Sequence, residues 1–247
     1  MSLEVSIRKK LHDFELDVSF NTEGCSRLGL LGPSGCGKSM TLKSIAGIVT
    51  PDEGRIVLNG RVLFDSAQKI NLPPQSRKVG YLFQSYALFP HMRIIDNIAC
   101  GLRLSKKEAR QDRQIRQIVE MVHLTGLEER YPGQLSGGQQ QRAALARILV
   151  YQPEIILLDE PFSALDEPLR VELQHQLSEI LRDWQREAIL VTHSQTEVRR
   201  MSDHLMVLDG GHITAFGATA DLLPPPVARY YRIKETVDLK DIGKTAG

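Results

Sequence analysis

Four short runs are apolar at nearly every position: Arg27-Leu-Gly-Leu-Leu31, Ile155-Ile-Leu-Leu158, Ala188-Ile-Leu-Val191 and Leu205-Met-Val-Leu208. A strand with one wet face alternates apolar and polar side chains; these runs do not, so each has to be buried on both faces. Helical patterns separate them, and the arrangement that buries all four is a mainly parallel sheet covered by helices, an α/β fold. Asn59-Gly60 and Gly210-Gly211 read as tight hairpin turns, whose central residues need positive φ. The sheet is therefore expected to be mixed, with antiparallel hairpins near its start and end. The N-terminal stretch MSLEVSIRKKLHDFEL alternates and carries charge, which reads as a strand rather than a signal peptide.

From about residue 85 to 150 the pattern turns helical. Ser105-Lys-Lys-Glu108 is a capping box opening a helix whose apolar residues Ile115, Ile118, Val119 and Val122 share one face. Arg103, Lys106, Lys107, Arg110, Arg113 and Arg116 interleave with Glu108 and Asp112, as on a solvated helix surface. The expected organisation is one domain over residues 1–230, with a core of 1–84 and 151–223 and a helical lobe inserted at about 85–150. Pro224-Pro-Pro226 then opens an irregular tail, 224–247.

Charge and composition exclude several classes. Thirty-one Lys and Arg against 30 Asp and Glu leave a formal charge of +1, which gives no electrostatic reason to expect nucleic acid. No apolar run approaches the roughly 18 residues needed to span a bilayer. Cys25, Cys36 and Cys100 lie at unrelated spacings, which suits a reducing compartment better than a disulfide framework. The expectation is a soluble, cytosolic chain.

Gly32-Pro-Ser-Gly-Cys-Gly-Lys-Ser39 matches the phosphate-binding pattern G-x-x-x-x-G-K-[ST], behind a buried strand and ahead of the amphipathic Thr41-Leu-Lys-Ser-Ile-Ala46. Glycines let the backbone curl so that its N–H groups face inward, and the helix N-terminus adds positive potential. Gly32, Pro33, Ser34, Gly35, Cys36, Gly37, Lys38, Ser39 and Met40 are thus candidates for holding a nucleotide. Lys38 is expected at the β- and γ-phosphates and the Ser39 hydroxyl on Mg²⁺. Cys36 occupies a variable position of the pattern and reads as a bystander.

Ile155-Ile-Leu-Leu-Asp-Glu160 is an apolar strand ending in two carboxylates. It is expected beside the strand that leads into the phosphate loop, where ligands collect at the carboxyl ends of the sheet. Asp159 is the expected Mg²⁺ ligand, directly or through water, and Glu160 the base for water attacking a γ-phosphate. Thr192-His193 ends the strand Ala188–Val191, and Ser194-Gln-Thr-Glu197 caps the next helix. His193 is thereby pinned at the same edge of the sheet, in reach of the γ-phosphate.

Leu135-Ser-Gly-Gly-Gln139 supplies a hydroxyl and free N–H groups at the start of a helix, Gln140–Val150, and is a second anion-binding device. The first loop already holds the phosphates of this chain's nucleotide. The economical arrangement is a two-fold, head-to-tail pair of chains in which Ser136, Gly137, Gly138 and Gln139 cover the nucleotide of the partner.

In this order and spacing, the phosphate loop, Leu135-Ser-Gly-Gly-Gln139, Leu157-Leu-Asp-Glu-Pro161, Ser163-Ala-Leu-Asp166 and His193 resemble the ATP-binding-cassette family over residues 1 to about 225. The resemblance implies an ATPase with ATP and Mg²⁺ as ligands. It implies Gln84 as a link between core and helical lobe that contacts Mg²⁺, and Asp166 among the nucleotide-binding residues. Ser85-Tyr-Ala-Leu-Phe-Pro-His91 corresponds to the region that grips a membrane-spanning subunit in importers, with Tyr86, Leu88 and Phe89 expected to be exposed. The partners implied are a second copy, two permease subunits and, indirectly, an extracytoplasmic binding protein, with the chain on the cytoplasmic face of the membrane. One feature departs from the pattern: Arg8-Lys-Lys-Leu-His-Asp-Phe14 lacks an aromatic at the usual adenine position, leaving His12, Phe14 or neither to stack on the base.

Gly54–Asp65, Ile70–Tyr81 and Met206–Gly217 resemble molybdate importer ATPases, with sulfate, iron, polyamine and sugar importers as alternatives. About 30 residues follow Gly217, so the β-rich regulatory domain that many of these carry is not expected within this sequence. A soluble ATPase of the same superfamily acting on DNA or ribosomes is disfavoured by the absence of long coiled-coil insertions or a basic face. A P-loop kinase or GTPase leaves Leu135–Gln139 unexplained, and a non-hydrolysing clamp leaves Glu160 and His193 unexplained.

Overall fold

The computed structural model describes residues 2–102, 104–163, 167–184 and 186–224. Along the chain come β1 (Leu3–Lys10), β2 (Glu15–Asn21), β3 (Arg27–Leu31), α1 (Lys38–Ala46), β4 (Glu53–Leu58), β5 (Arg61–Asp65), the two-residue β6 (Ile70–Asn71) and β7 (Val79–Leu82). The helices α2 (Ile94–Ala99), α3 (Lys106–Gln111), α4 (Arg113–Met121) and α5 (Gly137–Leu149) follow. The chain then returns through β8 (Ile155–Asp159), α6 (Glu167–Trp184), β9 (Glu187–Val191), α7 (Gln195–Met201), β10 (His204–Asp209), β11 (His212–Ala218) and α8 (Thr219–Leu222).

The strands form one mixed sheet in the order β6-β5-β4-β1-β2-β11-β10-β3-β9-β8-β7. The four doubly apolar runs are β3, β8, β9 and β10, and all pair in parallel. Asn59-Gly60 and Gly210-Gly211 close antiparallel hairpins, β4–β5 and β10–β11, and all four residues adopt positive φ. One expectation fails: β8 does not lie beside β3, because β9 is between them. Strands apolar on both faces all satisfy the same burial condition, so composition cannot rank them. The crossover helices set their order.

Alternate residues of β8 and β9 enter two cores. Ile155, Leu157, Ile189 and Val191 share a cluster with Leu42 and Ile45 of α1, and with Leu3, Ile7 and Ile56 from the antiparallel strands. α1 is thus held between the parallel and antiparallel parts of the sheet. Leu42 and Ile45 are fully buried, and each contributes roughly 1.5–3 kcal/mol on leaving water. Ile156, Leu158, Ala188 and Leu190 face the other way, onto a core built from α2, α4, α5 and α6.

The C-terminal end of α1 is fixed by a charged residue. Arg77 is fully buried; its Nη1 donates to the carbonyls of Ser44 (2.8 Å) and Ile45 (2.9 Å). Nε donates to Leu72 O and Nη2 to Asn71 Oδ1, both at 2.8 Å. A cation at the last carbonyls of a helix meets both unsatisfied acceptors and the negative end of the dipole.

The helical region differs from expectation in two boundaries. Ser105 and Glu108 form the expected capping box, yet the helix stops at Gln111 and a second begins at Arg113. Asp112 is extended, and its side chain accepts from the Ile115 N–H at 2.9 Å. A short acidic side chain that caps the following turn competes with helix continuation. α5 starts at Gly137, three residues before the expected start, because Ser136 caps it.

Candidate active site

β3 ends at Leu31 and delivers the chain into the loop Gly32–Gly37, from which α1 rises. A Cβ at Gly32 would sit 2.1 Å from the Leu208 carbonyl oxygen, so no side chain fits there. Gly37 starts α1 with φ +107°, and no side chain caps the helix. The first helical N–H with a partner is that of Thr41, onto Gly37 O. The N–H groups of Lys38, Ser39 and Met40 are left open at the positive end of α1, a cradle that fits an anion. Lys38 is nearly buried; its ammonium donates to the carbonyls of Gly32 (2.8 Å) and Pro33 (2.7 Å) and so holds the loop closed. Cys36 is buried, with its sulfur 3.9 Å from the Lys38 ammonium.

Asp159 stands at the end of β8. Its Oδ1 accepts from the Ser39 hydroxyl at 2.7 Å and its Oδ2 from the Tyr81 hydroxyl at 2.6 Å. Burial, reinforced by the hydrogen bond and charge of Asp159, pushes the Tyr81 phenol far above its ordinary pKa. An all-oxygen pair, Ser39 and Asp159, suits a hard cation such as Mg²⁺, which takes most of its ligands from water and phosphate. Among the described residues no group of three or more His, Cys, Asp or Glu is arranged to hold a metal.

The next residue, Glu160, has φ +48°, rare for a side chain with a Cβ, and its N–H donates to Val191 O at 3.0 Å. Because β8 and β9 are neighbours, this turn brings the Glu160 carboxylate against His193 Nε2. His193 itself is held by its flanks. The Thr192 hydroxyl donates to the buried Glu197 carboxylate and accepts from the Ser194 N–H at 3.0 Å. Glu197 also accepts from Gln174 Nε2 of α6 at 3.2 Å.

A cleft of about 390 Å³ joins these groups; Ser34, Gly35, Gly37, Lys38, Ser39, Met40, Glu160 and His193 line it together with Leu11 and Phe14. Of the two candidate adenine platforms, Phe14 faces this cleft, while His12 is exposed and bonded to Asp13. Gln84 does not line the cleft. Its Nε2 donates to Ser163 Oγ at 2.9 Å, and Ser163 donates in turn to the Glu160 carbonyl at 3.1 Å. Asp166 lies outside the described residues.

No residue of Leu135–Gln139 lines this chain's own cleft. The Ser136 hydroxyl accepts from the Gln139 N–H (3.3 Å), and Gln139 Oε1 accepts from the Ser136 N–H (3.0 Å). The expected free N–H groups are therefore those of Gly137 and Gly138, since the capping box engages those of Ser136 and Gln139 and Pro132 O takes that of Leu135; the Ser136 hydroxyl still has its own proton to donate. Gly138 has a further reason to be glycine, since a Cβ there would come within 2.8 Å of Leu173 on α6.

The loop after β7 also departs from expectation. Tyr86, read as exposed, is buried, with its hydroxyl donating to Pro161 O at 3.4 Å. Tyr86 and Ala87 have positive φ, and Arg147 donates to both of their carbonyls, at 2.9 and 2.7 Å. That turn aims the tyrosine inward and Phe89 outward, 43% exposed beneath the Arg147 guanidinium. Sequence reading missed Tyr81 and Leu11 as neighbours of the site. Tyr81 stands in the strand that leads to Gln84, and only the pairing of that strand with the one ending in Asp159 brings it to the site.

A phosphate-cradling loop, a hydroxyl and carboxylate for a cation, and a carboxylate–histidine pair in one cleft define a P-loop nucleotide-binding protein. The description "ABC transporter" matches the chain over residues 16–163. The spermidine/putrescine import ATP-binding protein PotA of Oleidesulfovibrio alaskensis is 43% identical over 82% of this chain and 53% of its own length. The sulfate/thiosulfate import ATP-binding protein CysA of Pseudomonas syringae pv. tomato is 40% identical over 92% of this chain and 70% of its own length. The chain thus spans about half of the first relative. The cassette MJ0796, solved as a dimer in a post-hydrolysis state bound to ADP and Pi, superposes with a TM-score of 0.70 at 26% identity, covering 89% of this chain and 99% of that one. The cbiO1 protein of Clostridium perfringens shares the fold, with a TM-score of 0.72 at 24% identity over 89% of each chain. The chain belongs to the ABC transporter family, and its fold is that of an ABC ATPase.

Proposed function

We propose that the chain is the ATP-hydrolysing subunit of an ABC importer for an oxyanion of the molybdate or tungstate type. The observation that carries the hydrolytic reading is the Glu160–His193 contact at the cleft that also contains Lys38 and Ser39. In this reading the open N–H groups of residues 38–40 and the Lys38 ammonium receive the phosphates, and Phe14 packs beside the base. Ser39 and Asp159 hold Mg²⁺, which neutralises phosphate charge when bound. Glu160 accepts a proton from the attacking water, and His193 orients that carboxylate while itself reaching toward the γ-phosphate. Gln84 acts through Ser163 on the Glu160 turn, a more indirect role than metal contact.

A second copy completes the site, with Ser136–Gln139 of one chain facing the nucleotide of the other. The dimeric cassette structures support this arrangement. Closure is favoured by the γ-phosphate, which both copies contact, and hydrolysis removes that preference. The loop 85–91, with Phe89 exposed, is the proposed contact to a permease. No helix among the described residues is long and apolar enough to cross a membrane, so attachment to the cytoplasmic face runs through that partner.

The oxyanion reading rests on Gly54–Asp65 and Ile70–Tyr81, and a relative named for sulfate and thiosulfate supports the substrate class. A relative named for spermidine and putrescine makes polyamine the competing cargo. The test is ATP hydrolysis by the native complex, purified through this chain and reconstituted in liposomes with its binding protein. Stimulation by molybdate or tungstate but not by sulfate or spermidine is expected. Stimulation by sulfate alone refutes molybdate and tungstate, stimulation by a solute that is not an oxyanion refutes the class, and failure of any membrane protein to co-purify refutes the importer.

A further inference from the structure

Tyr81 belongs to none of the motifs that point to a nucleotide, yet it touches the carboxylate at the centre of the site. It lies on β7, in register with Leu157 of β8, and its hydroxyl reaches Asp159 Oδ2 at 2.6 Å. Ser39 holds the other oxygen, Oδ1, at 2.7 Å. With one donor on each oxygen, the carboxylate cannot turn without breaking a short hydrogen bond to an ionised acceptor, the stronger kind. A phenolic hydroxyl placed against an ionised carboxylate is the donor of the pair, since the carboxylate can only accept. The Tyr81 ring plane is fixed in turn by Phe83, whose centroid lies 4.6 Å away at 53°.

We infer that Tyr81 is a positioning residue for the cation-binding carboxylate of Asp159. This rests on the reading above, in which Ser39 and Asp159 hold Mg²⁺. A cation bound directly by Asp159 would compete with the Ser39 hydroxyl at Oδ1 and leave the Tyr81 hydrogen bond at Oδ2 in place. Tyr81 is then the side chain that still aims the carboxylate, and without it Asp159 gains rotational freedom that cation binding has to remove. Hydrogen bonds behind a metal ligand act in this way, and their loss typically lowers metal affinity about 10- to 100-fold.

Tyr81→Phe keeps the ring and its stacking while deleting only the hydroxyl. The full-length variant and wild type are titrated with a fluorescent, non-hydrolysable ATP analogue in EDTA, and then with Mg²⁺ at fixed nucleotide. The variant is expected to bind the nucleotide in EDTA as wild type does, while its half-saturating Mg²⁺ rises about tenfold. A packing defect weakens both steps together, so parallel loss in EDTA and in Mg²⁺ overturns the inference, as does an unchanged Mg²⁺ dependence. If wild type itself shows no Mg²⁺-linked nucleotide binding, the reading on which the inference rests is what fails.

Discussion

Arg77 sits at the end of α1 opposite the loop Gly32–Gly37 and clamps that helix, so its replacement tests how α1 is anchored. Its four acceptors are neutral: three main-chain carbonyls and the Asn71 amide oxygen. Hydrogen bonds from a charged donor contribute about 1.5 kcal/mol each at the low end, roughly 6 kcal/mol for four. Burial of the guanidinium opposes this by several kcal/mol, and the same burial holds its pKa below the ordinary arginine value. Arg77→Met keeps an apolar stem and leaves those acceptors without the donor. The expected net loss is about 3 kcal/mol, which for a protein of this size lowers Tm by about 6–12 °C. Thermal unfolding followed by circular dichroism reads this directly. Arg77→Lys retains the charge without the planar fork and is expected to recover less than half of the loss. A Tm within about 2 °C of wild type for Arg77→Met, or full recovery by lysine, refutes the clamp.

Other outcomes follow from the same geometry. Glu160→Gln should bind ATP normally and lose at least about 100-fold in turnover, accumulating a nucleotide-bound dimer on a sizing column; wild-type turnover in that variant contradicts its role as base. Ser136→Arg removes the cap and fills the space in front of α5, so ATP binding should persist in the monomer while ATP-dependent dimerisation disappears. Detection of that dimer by light scattering would rule out the two-fold arrangement. Cys25 is pushed up from 9.0 to about 11, mainly by burial and then by the charges of Asp203 and Glu187. Its neutral thiol stabilises the fold fully below pH 9, and that contribution is lost as pH rises through about 11. Alkylation of Cys25 in the native protein should therefore be negligible at pH 8 and rise with pH, whereas the exposed Cys100 should label first; rapid Cys25 labelling at pH 8, read by mass spectrometry, contradicts this.

Much of the site was legible because its chemistry depends on local spacing. Gly32–Ser39 must curl between a strand and a helix, and the sequence carries all three parts. The two hairpins were legible for the same reason, since Asn59-Gly60 and Gly210-Gly211 tolerate the positive φ that the turns need. The break at Asp112 was harder to see, because an aspartate within a periodic stretch reads equally as a solvated helical residue or as a cap. Tyr86 was misplaced because exposure of a loop aromatic depends on a backbone turn that Arg147, sixty residues away in sequence, holds in place.

The sequence by itself determined the kinds of element and the ends at which their reactive groups stand. Hydrophobic period and turn chemistry are local, and each apolar run answers to the same need for burial whatever its neighbours are. Tertiary structure alone decided which strand lies next to which. With β9 between β3 and β8, Val191 bonds the Glu160 turn and His193 meets the Glu160 carboxylate. It also decided that Tyr81, on an edge strand, reaches Asp159 at the end of the strand paired with it. Those contacts join residues dozens of positions apart, and their energies depend on distance and direction in space, which no spacing along the chain encodes.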